Sequence, residues 1–470
     1  MNCFNRFTGC LIIVLMAVQT LSFAGSPGDI DPGTLREIRT SITVEGTNRA
    51  LMNAITNNDI HKLVLNRELV NNHDDIFNLK IDAKGITDQK STGRCWIFAG
   101  LNAMRPAIIK KYNLSEFEFS QNYLFFWDKL EKFNFFLESI IETRESPIDD
   151  RKFRHLLDGP VADGGWWNYV ASLIEKYGVV PKEIMPETVN SEKSKLMNKT
   201  LEYLALQYAA ELRNSWKSDK NLEKLHDRKT QMLKSIYKIL VMHLGLPPES
   251  FNWRYEDKDK TIHEKNYTPV QFYQEVVGVQ LWEYITLFNY PGRPFNQYYQ
   301  VDFRRNMFDK PDMDFVNLEI DQLKQYTLAS LLDNEPVWFA ADAGWHMERE
   351  YGIMADGIYD YESLFGITAD MSKADRIMYG ASAATHAMTF IGADTIAGKS
   401  LKWRVENSWG TDLGDKGYWT MYDNWYDKYV FTIIIHRKYL PEKVLALLKT
   451  KPTILPTWDP LAKSLDEVGN

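Results

Sequence analysis

Cysteine is scarce: the 470 residues include three, and two of them, Cys3 and Cys10, fall within the first ten positions. A disulfide framework and a cysteine-rich metal centre are thereby excluded. No HExxH motif and no closely spaced histidine pair supplies zinc ligands instead, so neither a metal nor another cofactor is expected. Charge of one sign never accumulates into a long run. With 55 lysines and arginines against 63 aspartates and glutamates the formal net charge is -8, which gives no general attraction to phosphate backbones. Nucleic acid is not an expected partner. Internal repeats and low-complexity tracts are missing too, so the organisation has to be read from shifts in composition. A hydrophobic content of 44%, aromatics included, is enough to build a large core in one elaborated domain or two.

Long apolar runs are equally few near the start. Arg6 in a polar opening, the run Leu11 to Val18, and Ser22-Phe23-Ala24 before Gly25 form the pattern of a secretory signal over residues 1–24. The run is short for a membrane span. Export to a periplasm or the exterior is expected, with cleavage after Ala24 and no stable membrane anchor afterwards. The mature chain would then carry Cys95 alone. A lone thiol is ordinarily a buried bystander, and its neighbours decide otherwise here.

Those neighbours run from Asp88 to Gly100. Gln89, a polar turn containing Gly93, then Cys95 and Trp96 opening an apolar run describe a nucleophile at the first turn of a buried helix. Ile97, Leu101, Met104 and Ile108 supply the apolar stripe, and Pro106 is expected to kink the helix or shift its register. Unpaired N–H groups at a helix N terminus lower a thiol pKa from about 8.5. Gln89, six residues earlier, can direct its amide at an oxygen gaining negative charge.

Around this stretch the chain divides into a lead over 25–82 with little periodicity, a helical lobe over 83–190, an inserted helical and hairpin module over 191–300, a β-rich lobe over 301–450 and a tail over 451–470. Phe119 to Trp127 reads as an aromatic core helix. Asp158 to Trp167 is a loop in which Gly164 and Gly165 are candidates for lining a substrate cleft, because glycine permits close backbone approach. Met185-Pro186-Glu187 reads as a surface turn. In the module, Leu225, Met232, Ile236, Ile239 and His243 mark a helical stripe, and Phe251, Trp253 and Tyr255 alternate before a polar turn, as in a hairpin. Strands are expected at Glu335–Ala340, Ala387–Ile391, Leu401–Val405, Tyr418–Met421 and Tyr429–Ile435. The fold class is α+β, with helices carrying the thiol on one side of a sheet.

A thiol nucleophile needs a base and a group that orients the base. His386 opens one strand and Asn407 closes the next, 21 residues on, a span suited to neighbouring antiparallel strands. Trp409 is placed to shield a bond between them from water and to border the cleft. The expected chemistry is attack of a thiolate on a carbonyl, with Cys95 as nucleophile, His386 as the base that takes its proton, Asn407 as its orienting partner, and Gln89 at the oxyanion.

Gln89 to Phe98, Thr385-His386-Ala387 and Glu406 to Gly410 together resemble the papain-like cysteine peptidases. Two departures stand out: Thr92 replaces the cysteine that usually lies three residues before the nucleophile, and His386 lies 291 residues after Cys95, about twice the usual separation of roughly 130 to 150. The extra length matches the inserted module. Ser120 to Glu131, Asp158-Gly159-Pro160, Glu335 to Phe339 and Leu455 to Pro460 resemble the bleomycin hydrolase and aminopeptidase C branch. That resemblance implies a two-lobed papain-like core with an inserted oligomerisation arm, an aminopeptidase acting on peptides, hydrolysis of the bleomycin amide as in some members, and a homohexamer with sites facing an inner cavity. It also implies a C-terminal tail lying in the cleft, whose terminal carboxylate meets the substrate's amino group. The family tail usually ends soon after the Trp458-Asp459-Pro460 block, whereas this one runs on to Asn470. If it leaves the cleft open the expected activity is that of an endopeptidase, the other alternative being a non-catalytic exported scaffold. Members of that branch are usually intracellular, whereas this N terminus reads as an export signal.

Overall fold

The computed structural model describes residues 28–368 and 370–463. The signal-like segment and the last seven residues, including Asn470, lie outside the described residues. The chain divides into two compact units, one up to Val64 and one from Leu65 onward.

In the first unit helices form over Pro32–Thr40, Gly46–Asn57 and Ile60–Val64, where the sequence promised little order. The cause is local. Asp31 accepts hydrogen bonds from the Gly33 and Thr34 N–H groups at 2.6 and 3.1 Å, and Pro32 opens the helix with no N–H to satisfy.

The second unit is built around a buried helix and a sheet. The helix, Cys95–Lys111, carries buried side chains on nearly every side, Ile97, Leu101, Met104 and Ile108 among them, and runs through Pro106 as one element. Such all-round burial marks a central helix. Beside it, Gln121–Glu142 starts at Ser120, whose hydroxyl accepts from the Tyr123 N–H at 3.1 Å, and buries Tyr123, Phe125, Phe126, Phe133 and Phe136. The arm helices Lys195–Asp219 and Leu222–Leu244 share one apolar core with it. On the second arm helix Leu240 and Leu244 are buried where Ile239 and His243 were expected to complete the stripe; the latter two are half-buried, because the buried line steps by four residues and so winds slowly around the helix away from the 3.6-residue repeat. The hairpin forms as read, with Phe251–Glu256 paired against Ile262–Tyr267.

The sheet holds 12 strands among the described residues. His386–Ile396 lies between Val337–Ala341 and Lys399–Glu406, antiparallel to both, with His386 opposite Ala341 and Thr389 opposite Glu406. Val337–Ala341 is buried throughout. This register puts His386 and the residue after Glu406 at the same end of adjacent strands.

Helix and sheet are joined by polar contacts inside the core. The Thr389 hydroxyl donates to the Ala99 carbonyl at 3.1 Å and the Trp338 indole N–H to the Trp96 carbonyl at 3.2 Å. Arg105 reaches from the helix to the end of the Lys399–Glu406 strand, 2.6 Å from Glu406, and donates to the Ala83 and Gly85 carbonyls at 3.0 Å each. Both members of this ion pair are almost completely buried. Burial pushes the Glu406 carboxyl up to about 7, against the pull of the Arg105 charge. Replacing Arg105 by Met should therefore leave a buried carboxylate without its counter-charge, at a cost of about 3–5 kcal/mol. Urea unfolding at pH 8 should show that loss. At pH 5, where Glu406 takes up a proton, the deficit should shrink.

Candidate active site

Cys95 is the first residue of its helix, follows Arg94 and is 2% exposed. The backbone N–H groups of Ala387, Trp96 and Cys95 itself favour the thiolate form of its sulfur. Ala387 follows His386 directly, so the thiol sits against the opening of the His386 strand. His386 is 5% exposed, and its Nε2 lies 2.7 Å from Asn407 Oδ1. The Asn407 amide is oriented by the Ser408 N–H, which donates to the same Oδ1 at 2.8 Å. An oxygen accepting from both sides requires Nε2 to carry the ring proton, which leaves Nδ1 as the basic nitrogen.

The half-buried Trp409 lies over the His386 ring, centroids 4.7 Å apart and planes inclined by 30°. It covers the imidazole face and is itself buttressed edge-on by Trp419, at 5.7 Å between centroids. Trp409 and Asp88 form an isolated antiparallel bridge, with the Gly410 N–H donating to the Thr87 carbonyl at 3.1 Å. Gly410 has φ 74°, and a Cβ there would stand 2.9 Å from the Asp88 carboxylate. The loop bearing Asn407 and the turn preceding Cys95 are thus stitched together.

Gln89 is held in this seam. Its N–H donates to the Ser408 carbonyl at 2.9 Å, and its Oε1 accepts from the Ser408 hydroxyl at 2.7 Å. Its Nε2 donates to the Thr92 carbonyl at 2.7 Å, while the Thr92 hydroxyl returns a bond to the Gln89 carbonyl. The Gln89 amide is thus anchored in its own turn: one of its two hydrogens is committed to the Thr92 carbonyl. Ser408 was not singled out from the sequence, although it lies between Asn407 and Trp409; a serine in a strand-end turn gives no signal of which distant amide it will hold.

Gly164 and Gly165 are both buried. A Cβ at Gly165 would fall 2.6 Å from the Trp96 indole, and the Gly164 carbonyl accepts from Lys132 at 2.6 Å. The space freed at Gly165 is therefore filled by the tryptophan next to the nucleophile, where a substrate backbone had been expected. The residue before them does more. Asp163 is buried, pairs with Lys129 at 2.7 Å, accepts from Asn198 at 2.7 Å and from the Ser194 hydroxyl, and takes the Gly93 N–H at 3.2 Å. Its carbonyl accepts the Trp96 indole N–H at 2.8 Å. Burial opposes the Asp163 charge, but Lys129 and these donors hold its carboxyl well below the usual range. Arg94, fully buried against Phe98 and Phe125, pairs with Glu187 at 2.9 Å. The segment read as a surface turn, Met185-Pro186-Glu187, is therefore part of the packing behind the nucleophile, with Met185 4% exposed.

Electrostatics in the site follow from its dryness. Burial pushes the Cys95 thiol up to about 11, against the three N–H groups that favour its thiolate. Burial also pushes His386 down to about 4, opposed by its bond to Asn407 and assisted by the nearby Arg349 charge. The expectation that a helix terminus alone lowers the thiol pKa is corrected accordingly, because desolvation outweighs a partial charge. Proton transfer from Cys95 to His386 creates both charges together. Their mutual attraction is what offsets the burial of each.

Residues 29–462 match the model of the peptidase C1-like family. The chain belongs to the peptidase C1-like family. It is 40% identical over 423 residues to bleomycin hydrolase of Rattus norvegicus, covering 87% of this chain and 93% of that one. To aminopeptidase C of Streptococcus thermophilus it is 39% identical over 416 residues, covering 88% and 94%. The crystal structure of PepW from Lactobacillus rhamnosis superposes with a TM-score of 0.90 at 38% identity, covering 92% of this chain and 99% of that chain. The papain-like α+β fold read from the sequence is thus the family's fold, and the chain is a cysteine peptidase.

If the charge on Cys95 depends on its partner, His386→Ala should leave a thiol that holds its proton far above neutrality. Alkylation by iodoacetamide at pH 6–7, followed by intact mass, should slow by on the order of 100-fold or more and recover as the pH is raised past 9. Wild-type alkylation rates in that variant at pH 6 would contradict the coupling.

Proposed function

We propose that this chain is a cysteine aminopeptidase that removes N-terminal residues from peptides. The observation that carries the reading is the buried His386–Asn407 bond at 2.7 Å, on the strand against which the helix that begins with Cys95 is packed. In the proposed cycle Cys95 passes its proton to Nδ1 of His386 and attacks the scissile carbonyl. The Cys95 N–H and the second N–H of Gln89 take the oxyanion, and His386 returns the proton to the departing amine. Water then hydrolyses the thioester with His386 as base. Relatives named aminopeptidase C and bleomycin hydrolase support hydrolysis at a free amino terminus and of bleomycin-like amides.

The tail supports the amino-terminal restriction. Thr453–Leu455 pairs in parallel with Gln297–Val301, Asp459 is held by Arg293 at 2.6 Å, and Leu461 lines a small cavity with Ile377, Ala384 and Phe431. Ala384 is two residues before His386, so the chain leaves its anchor beside the candidate site. In this reading the end at Asn470 limits how far a peptide enters. Assembly is proposed as well. Leu196 and Tyr203, seven residues apart on the first arm helix, are 73% and 71% exposed and suit contact with a second copy; the hexamer rests on the family resemblance. Residues 1–24 support the proposal of export.

Matched peptides with free and acetylated amino termini test the reading. The free form should be cleaved, with release of its first residue. The acetylated form should resist. Cys95→Ala should bring turnover to background while thermal unfolding stays cooperative; cleavage of the acetylated peptide at internal bonds would replace the aminopeptidase by an endopeptidase.

A further inference from the structure

One charged group stands beside the candidate site without a role in the cycle above. Arg349 is exposed, and its guanidinium lies 5.0 Å over the Trp409 ring, on the indole that stacks against His386. Its backbone is fixed, because the Arg349 carbonyl accepts from the Gly414 N–H at 2.9 Å. Among the described residues no carboxylate pairs with its side chain, although carboxylates are abundant in this chain and most of its buried or half-buried cations have one. The adjacent Glu348 is turned instead to the Tyr351 N–H, which donates to it at 2.7 Å.

The reaction dictates what passes this group. His386 must hand its proton to the departing amine, so that nitrogen has to come within hydrogen-bond reach of the ring. The residue carrying it then lies at the imidazole, with Trp409 as the neighbouring aromatic surface. A cation resting on that surface meets the leaving side of the substrate, and its unpaired N–H groups suit a planar carboxylate.

We propose that Arg349 is a specificity-determining residue that favours a carboxylate on the leaving side of the scissile bond. The carboxylate is either the side chain of an acidic second residue or the free C terminus of a dipeptide. This deepens the aminopeptidase reading and rests on it. The attraction acts through solvent at an exposed group, so the preference should be modest and should fade with salt.

The test compares kcat/KM ratios within each protein at low ionic strength. Substrates are tripeptide amides that share a first residue and carry Glu, Gln or Lys second, together with one dipeptide in free-acid and amide forms. An aminoacyl coumarylamide, which has no residue on the leaving side, reports the underlying activity separately; its failure to turn over would sink the aminopeptidase reading itself. Wild type should favour Glu over Lys by about fivefold, the size of an exposed ion pair. The ratio should approach one in Arg349→Gln and invert in Arg349→Glu, and the same loss in the acid-to-amide ratio would identify the terminal carboxylate as a second source. With coumarylamide turnover intact, equal ratios in wild type for both substrate sets would overturn the proposal. So would a preference that persists in Arg349→Gln.

Discussion

Everything that reacts in this protein depends on one helix being held against the end of one pair of strands. Cys95 is supplied by the helix, while His386 opens one strand and Asn407 follows the end of the next, and no disulfide ties helix to sheet among the described residues. The buried contact between Arg105 and Glu406 fixes their spacing, because Glu406 immediately precedes Asn407 and Arg105 lies ten residues along the helix from the thiol. An ion pair this deep adds little net stability compared with a well-packed apolar pair, but it tolerates few alternative arrangements. Its value lies in register: a helix slid by one turn would strand both charges.

The seam between the turn at Gln89 and the loop at Ser408 acts at the other end of the same helix. Together the two attachments leave the nucleophile little freedom to tilt. This explains why the backbone around Cys95 is rich in bonds that do no chemistry. Trp338 and Thr389 hold early carbonyls of the helix, and Trp409 covers the imidazole. The reaction then requires a proton to move between two desolvated groups while the frame stays still.

The candidate site residues stand out in the sequence because each carries a local signature: a cysteine opening an apolar run, a histidine starting a strand, an asparagine ending the next. The alternation of apolar strands and the helical stripes likewise betrayed the α+β class. Residues whose roles depend on partners far away were not legible. Asp163 gathers Gly93, Lys129, Ser194 and Asn198 from three parts of the chain, and Gly165 makes room for Trp96, which no periodicity reports. The two helices before residue 58 were missed for the opposite reason. Apolar residues do recur on one face of each, Leu35 and Ile38 on the first, but those faces bury nothing among the described residues.

The turn before Cys95 has one further consequence. Where the resemblance leads one to expect a cysteine, Thr92 stands, and the turn is clamped through Gly93 by the carboxylate of Asp163, itself neutralised by Lys129. A thiol nucleophile works only while reduced, yet a disulfide beside it would need oxidising surroundings to persist. Clamping by charge removes that conflict. The frame of the site keeps its shape at any redox potential, and reductants that restore an oxidised Cys95 leave its supports untouched.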